Sequence, residues 1–429
     1  MNPQQLKIAE PPRPGIEAPA HDTNTSKMDN AQFTDLCAWI TEAGLGGLSE
    51  TATLDGFCER AVALGLPLAR ATVLIDTLHP VCEGRAFIWK RDKKETASNE
   101  YDRSTENLRL WVHSPFYHLE KRGESLLRRK LTAETEDEFP IFPDLRADGM
   151  TDYVAMVTRF AADGIVGNMD CIYSSWTTDA PDGFRDIDVA NIGRLIPMLA
   201  LTLKATSLAR IAATLVETYL GRDAGRRVLE GRTARGVAEQ IEAALWFSDL
   251  RGYTRLSDTA KPEEIIPLLN EYADAIISTI HDHGGDVLKL IGDGVLAIFT
   301  AADRSRACEA ALAAAEDAPR RVAEVTGHRT ADGLPTTELY LGLHVGQVFY
   351  GNIGSKERLD FTVVDPAVNE VSRIASMCRS VEQPLLVSSA FAAALDASRS
   401  RLVSVGRYAL RGVARPQDLF TLDPDIGAS

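Results

Sequence analysis

Two aspartates, Asp249 and Asp293, stand where apolar runs end. Ala243-Ala-Leu-Trp-Phe247 leads into Ser-Asp249-Leu-Arg-Gly252-Tyr-Thr254. Val287 to Phe299 reads as two apolar strands joined by Gly292-Asp293-Gly294, a hairpin-turn signal. Carboxylates at the ends of neighbouring strands suit Mg²⁺ or Mn²⁺ bridging a nucleoside triphosphate. The loop at Gly252, Tyr253 and Thr254 offers backbone N–H groups to phosphate. The plain alternative is two unrelated turn acids. Lys289, inside the first apolar run, must find a partner or snorkel to water.

A second cluster follows. GLHVGQVFYGNIGSKERLDFTVV reads as two strands joined by a polar-tipped arm, and DPAVNEVSRIASMC as a helix. Asp365 can cap that helix, and Pro366 suits its first turn. Val368, Val371, Ile374, Ala375 and Cys378 form its apolar stripe. Asn369 and Arg373, four apart, share another face. An amide beside a guanidinium could orient a ribose and neutralise a phosphate. By itself, such a pair also reads as a solvated face.

The elements that must position these groups fall in the second half of the chain. A strand ending at Asp249 is followed by an amphipathic helix from Pro262 to about His283, with Pro267 expected to bend it and Gly284-Gly285 to end it. The hairpin and the strand–arm–strand–helix unit come next. Residues 221–236 carry Gly and Arg and read as a connector. Upstream, 30–205 reads as a mixed α/β region. It has helices at 33–40 and 53–64, strands at 71–75, 85–89, 153–157 and 169–173, a polar loop near 90–107, and a long helix from Asp186 to Leu220. Residues 1–29, rich in Pro and charge, read as a disordered tail.

Composition narrows the classes. A net charge of −15 over 429 residues disfavours general nucleic-acid or anionic-membrane binding. Six scattered cysteines without C-x-x-C spacing fit a reduced, cytoplasmic protein. No secretory leader and no run of 18 apolar residues is seen, so no membrane span is expected.

FSDLRGYT, GGDVLKLIGDG, GNIGSKERLDFTVV and NEVSR, in this order, resemble the catalytic domain of a class III adenylyl cyclase over about 185 residues. The resemblance implies a ferredoxin-like, palm-type, mainly antiparallel sheet flanked by helices over 237–425. It implies two Mg²⁺ or Mn²⁺ ions per site, with Asp249, Asp293 and Leu250 as the metal set. It gives adenine reading to Lys289 and Thr362, the threonine being similar to the bacterial class IIIb subgroup. Ribose orientation falls to Asn369, transition-state stabilisation to Arg373, and triphosphate contact to Arg411 of Leu410-Arg411-Gly412. Asp365 stands where the family often has Gly. Gly284-Gly285-Asp286 is similar to the start of a diguanylate cyclase motif, but it continues Val-Leu and is set aside.

The activity implied is ATP to cyclic AMP and pyrophosphate, in a homodimer whose sites each take metal ligands from one protomer and nucleotide readers from the other. A non-catalytic nucleotide-binding dimer is the first alternative. A guanylyl cyclase is the second, and it would ask for Glu near Lys289 and a small residue such as Cys at Thr362. The layout of 30–205, with TTDAPDGFRDIDVANI, resembles a GAF-like sensor domain. The sensor would answer an unknown small molecule or protein signal through a signalling helix and connector (206–236). The subgroup adds a possible bicarbonate response. Trp89, Trp111, Phe116, Tyr117 and Trp176 are candidate pocket residues, alternatively plain core, and His113 with His118 a candidate metal pair.

Overall fold

A computed structural model describes residues 28–423 except 94, 133, 135, 136, 161–166, 168 and 414. The tail read at 1–29 thus lies almost wholly outside the described residues. The chain divides into two compact units at Ala209/Arg210, inside the long helix.

The first unit holds α1 (Asn30–Leu45), α2 (Glu50–Ala63), β1 (Arg70–Asp76), β2 (Cys82–Lys90), β3 (Ala97–Asp102), α3 (Thr105–Val112), α4 (Pro115–Arg122), β4 (Leu126–Lys130), α5 (Ile141–Ala147), β5 (Asp152–Arg159), β6 (Cys171–Thr178) and most of α6 (Asp186–Leu220). Asp29 opens α1 with a capping box shared with Gln32. The strands form one antiparallel sheet in the order β3-β2-β1-β6-β5-β4. Strand alternation supplies two apolar faces. Phe57 of α2 packs edge-on against Trp176 on one face, while α4 and α5 cover the other through Phe116, Leu119, Phe142 and Leu145. The polar loop expected near 90–107 contains β3 and the start of α3. β3 is an edge strand with no buried residue, so it leaves no alternating pattern to read.

Trp89 and Trp176 are core residues, 4% and 0% exposed. Phe116 is a core residue too, 9% exposed, and with Trp111 it packs on the Tyr173 ring, the Trp111–Tyr173 centroids lying 5.1 Å apart, while Tyr117 packs on Trp111. Among the described residues the histidine pair belongs to no group of three or more His, Cys, Asp or Glu side chains that could hold a metal. His113 Nδ1 lies 2.8 Å from the Arg109 carbonyl and His118 packs on Phe139. Helix α6 appears as expected and runs through Pro197. It is long and apolar enough, by length and composition, to cross a membrane. The expectation of no such segment is corrected on that point, since scattered polar residues had interrupted every 18-residue apolar run. A third of its apolar window is buried within the protein.

The second unit continues with α7 (Arg222–Leu229), β7 (Ala238–Leu250), α8 (Tyr253–Thr259), α9 (Pro262–Asp282), β8 (Gly285–Ile291), β9 (Gly294–Phe299), α10 (Arg304–Ala331), β10 (Leu339–Gly354), β11 (Leu359–Val364), α11 (Pro366–Val381), β12 (Leu385–Ser388), α12 (Ser389–Ala394), β13 (Leu402–Tyr408) and β14 (Gln417–Leu422). Its sheet runs β13-β14-β12-β10-β7-β9-β8, and β11 pairs with the far half of β10. The sequence β7-α9-β8-β9-α10-β10 with strand order β10-β7-β9-β8 is the ferredoxin-like arrangement. All pairings are antiparallel except β10 with β12.

Period-two alternation in β7, β9 and β10 again splits two cores. Trp246, Ala297 and Leu343 face α9 and α10. Leu245, Ile298 and Val348 face α7 and α11. The connector expected at 221–236 therefore includes a helix docked on the sheet, with Ala224 buried beneath it and Asp223 accepting a hydrogen bond from the Tyr350 hydroxyl. Helix α9 continues past Pro267 to Asp282, and Gly284 beyond it takes φ +79°.

Candidate active site

The β7 register explains where the first carboxylate sits. Ser248 is the last β7 residue paired with β9, opposite Val295, and Asp249 follows it at the sheet end. The β8–β9 hairpin closes with Ile291 opposite Gly294, leaving Gly292 and Asp293 as a two-residue turn. Gly292 takes φ +64°, which such turns require and side-chain-bearing residues resist. The two acids meet at the Leu250 amide. Its N–H lies 3.1 Å from Asp249 Oδ1 and 3.2 Å from Asp293 Oδ2. Burial, then the hydrogen bond and charge of Asp293, push the Asp249 carboxyl up to about 7. Two carboxylates held in mutual repulsion form a donor set that a hard divalent cation relieves. Among the described residues no set of three or more His, Cys, Asp or Glu side chains converges at metal-ligand spacing. The residues fit Mg²⁺ or Mn²⁺ of the kind that keeps water and phosphate among its ligands, with Leu250 contributing through its backbone.

The loop after Asp249 is braced from outside. Arg251 N–H donates to the Glu338 carbonyl at 2.8 Å, and the Thr337 hydroxyl donates to the Arg251 carbonyl at 2.9 Å. Gly252 takes φ +71°, and α8 starts at Tyr253 without a side-chain cap. The first N–H groups at Tyr253 and Thr254 are thus left for a ligand or water.

The base-reading candidates lie on β8 and β11. Lys289 pairs with Asp360, two residues before Thr362 on the same strand. The expectation that Lys289 needs a partner is met. The partner was missed because an acid on a strand read as part of a polar arm looks like a solvated charge. Thr362 is buried to 8% exposure.

Asn369 and Arg373 lie exposed on α11, away from its buried Val371, Ile374, Ala375 and Cys378. Asp365 caps the helix by accepting from Ala367 N–H at 3.3 Å, as expected. The helix lies close on β10, because a Cβ on Gly342 would come within 2.7 Å of Ala375 N and 2.8 Å of the Val371 carbonyl. Glu370, beside Asn369, accepts from Gln417 and lies 3.6 Å from His344. His344 is buried against Ser388 Oγ at 2.8 Å, and desolvation lowers its pKa despite the Glu370 charge. This buried support was not anticipated, since a histidine in an apolar strand carries no signal of its neighbours. Arg411 is exposed in the turn after Leu410.

The structure thus gathers Asp249, Leu250 and Asp293 into one group and places Lys289 near the strand of Thr362. Among the described residues, no hydrogen bond or ion pair joins the carboxylates to Lys289, Thr362, Asn369 or Arg373. Residues 237–423 match the adenylate and guanylate cyclase catalytic domain. This stretch belongs to that family. Relatives of the cyclase domain include "Adenylate cyclase 1" of Rhizobium meliloti (strain 1021), 29% identical over 225 residues, covering 50% of this chain and 33% of that protein. An uncharacterized protein of Mycobacterium tuberculosis (strain CDC 1551 / Oshkosh) is 33% identical over 209 residues, covering 48% of this chain and 36% of its own. The chain thus spans about a third of the length of these curated relatives. A crystal structure of the guanylyl cyclase Cya2 is 29% identical, covers 43% of this chain and 93% of its own, and has a TM-score of 0.39.

Proposed function

We propose that the protein is an adenylate cyclase that converts ATP to 3′,5′-cyclic AMP and pyrophosphate. The observation that carries this reading is the convergence of Asp249 and Asp293 on the Leu250 amide within a cyclase domain. Two bound divalent cations would activate the ribose 3′-hydroxyl and offset charge on the reacting phosphate. Asn369 holds the ribose in attack geometry. Arg373 meets the charge that grows on the α-phosphate, where a fixed cation lowers the barrier. The N–H groups at Gly252, Tyr253 and Thr254 hold phosphate oxygens, and Arg411 reaches the triphosphate tail. Lys289 donates to adenine N1, and the Thr362 hydroxyl accepts from the 6-amino group. Glu near Lys289 and Cys at Thr362, which would favour guanine, are absent from those positions.

The two residue groups work together in a homodimer, each site taking carboxylates from one protomer and readers from its partner. The separation of the groups within one chain supports this reading. The first unit, with its six-stranded antiparallel sheet covered on both faces, serves as a GAF-like sensor. The free cysteines support a reducing, cytoplasmic setting.

The full chain with Mn²⁺ should make cyclic AMP from ATP well above cyclic GMP from GTP, and Asp293→Ala should abolish it. Asp249→Ala and Arg373→Ala proteins, each inactive, should regain activity on mixing, because one heterodimer site is intact. A mixture that stays inactive although heterodimers form would refute the shared site.

A further inference from the structure

One face of the sheet in the first unit is covered unevenly. Strand register places Arg70, Thr72 and Leu74 of β1 on the same face as Lys90, Ile88 and Ala86 of β2, with Ala97 of β3 beside Ile88. Tyr153 of β5 and Tyr173 of β6 share that face and are buried beneath α4 and α5. Towards β2 and β3 the cover ends, and a groove of about 560 Å³ opens, lined by Arg70, Ile88, Lys90, Lys93, Glu95 and Ala97. Two of its cations stand in direct opposition. Arg70 and Lys90 are cross-strand partners, and like charges placed so oppose strand pairing. Asp148 relieves Lys90 at 3.0 Å. Arg70 is half-buried, and among the described residues its guanidinium makes no hydrogen bond or ion pair, Asp148 acting on it only at longer range.

We propose that this groove binds a small monocarboxylate with a compact apolar body. The Arg70 guanidinium takes the carboxylate through paired N–H donors, a geometry that suits its planar fork. Lys90 adds its charge from the opposite strand, so the bound anion removes the repulsion that the register imposes. Ile88 and Ala97 give the apolar body a surface to lie on, as in pockets where a few polar groups fix the orientation of a mainly apolar ligand. The charge balance sets the ligand class. Arg70, Lys90 and Lys93 face Asp148 and Glu95, which leaves one positive charge in a chain of net charge −15. A monoanion neutralises it. A dianionic phosphate brings a second negative charge against Asp148 and Glu95 with no cation left to meet it.

The test is isothermal titration of the full chain with benzoate at neutral pH and low salt. Benzamide serves as the uncharged isostere and phenyl phosphate as the dianion. Benzoate should bind with a Kd of about 1 mM or tighter, which suits a ligand of its size. Benzamide and phenyl phosphate should each bind about tenfold more weakly. Arg70→Ala should weaken benzoate about tenfold, and Arg70→Lys, which keeps the charge and loses the fork, should recover part of that loss. Asp148→Asn, which frees Lys90 for the ligand, should tighten binding about threefold. Urea unfolding of Arg70→Ala should give the wild-type midpoint or a higher one, because the substitution removes a like-charge pair. Should Arg70→Ala not fold, Arg70→Gln replaces it under the same criteria. The absence of benzoate binding up to about 10 mM would overturn the proposal, as would benzoate affinity unchanged by loss of the guanidinium. Equal affinity for benzamide, tighter binding of phenyl phosphate, or an Asp148→Asn protein that binds benzoate no tighter than wild type would overturn it as well.

Discussion

At the scale of single residues, charge is placed where water cannot fully serve it. Asp249 shows this in the cyclase domain, and Asp76 shows it in the first unit. Burial, followed by the charges of Asp170, Glu83 and Glu120, pushes the Asp76 carboxyl up to about 7. The sign follows from proton counting. In the unfolded chain this carboxyl ionises near pH 4, whereas in the fold it keeps its proton to about pH 7. The fold therefore binds more protons across that window, and its contribution to stability falls as pH rises from about 4 to about 7. Asp76→Asn should remove that slope. The variant should match wild type near pH 4 and exceed it by about 1–2 kcal/mol at pH 8, below the full linkage value because the carboxyl keeps some contact with water. Urea unfolding of the first unit at both pH values checks this, and equal midpoint differences at the two would refute it.

Elements convert these placements into a site, and their legibility varied for physical reasons. Asp249, Asp293 and the β8–β9 hairpin could be read because apolar alternation stops sharply at a charged, glycine-bearing turn. Helix α11 could be read from its stripe, cap and Pro366. β3 and β4 could not, since both are edge strands with little buried surface. Helix α7 was hidden because its fully buried residues are only Ala224 and Gly225, with Val228 partly buried beside them, too short an apolar pattern to stand out among its arginines. The Lys289–Asp360 and His344–Glu370 pairs are long-range, and no local pattern announces a partner across the fold. The seat of α11 is the element-scale feature most open to test. Gly342→Ala would press a methyl group against the backbone of Val371 and Ala375. It should cost about 1–3 kcal/mol in unfolding free energy, as overpacking does. It should also lower kcat by shifting the helix that carries Asn369 and Arg373. Wild-type kcat and unfolding midpoint in this variant would show that the helix tolerates the methyl group without moving.

At the scale of the whole molecule, the division at Ala209/Arg210 separates two sheets, each with its own cores. A ligand that binds one folded unit stabilises that unit by mass action and leaves the other untouched unless the two unfold together. The paired carboxylates and the residues proposed to hold phosphate and read the base all lie in the second unit, whereas Asp76 lies in the first. Calorimetry of the full chain should therefore show two transitions. Mn²⁺ with 3′-deoxy-ATP, which lacks the attacking hydroxyl and cannot cyclise, should raise one of them. Asp76→Asn at pH 8 should raise the other. Asp293→Ala should cancel the ligand shift and leave the Asp76→Asn shift in place, because on the proposed reading the first effect needs both carboxylates and the second is a property of a separate core. A single transition moved by both perturbations would mean that the units share one cooperative unfolding event, and the independence argued from their separate cores would be wrong.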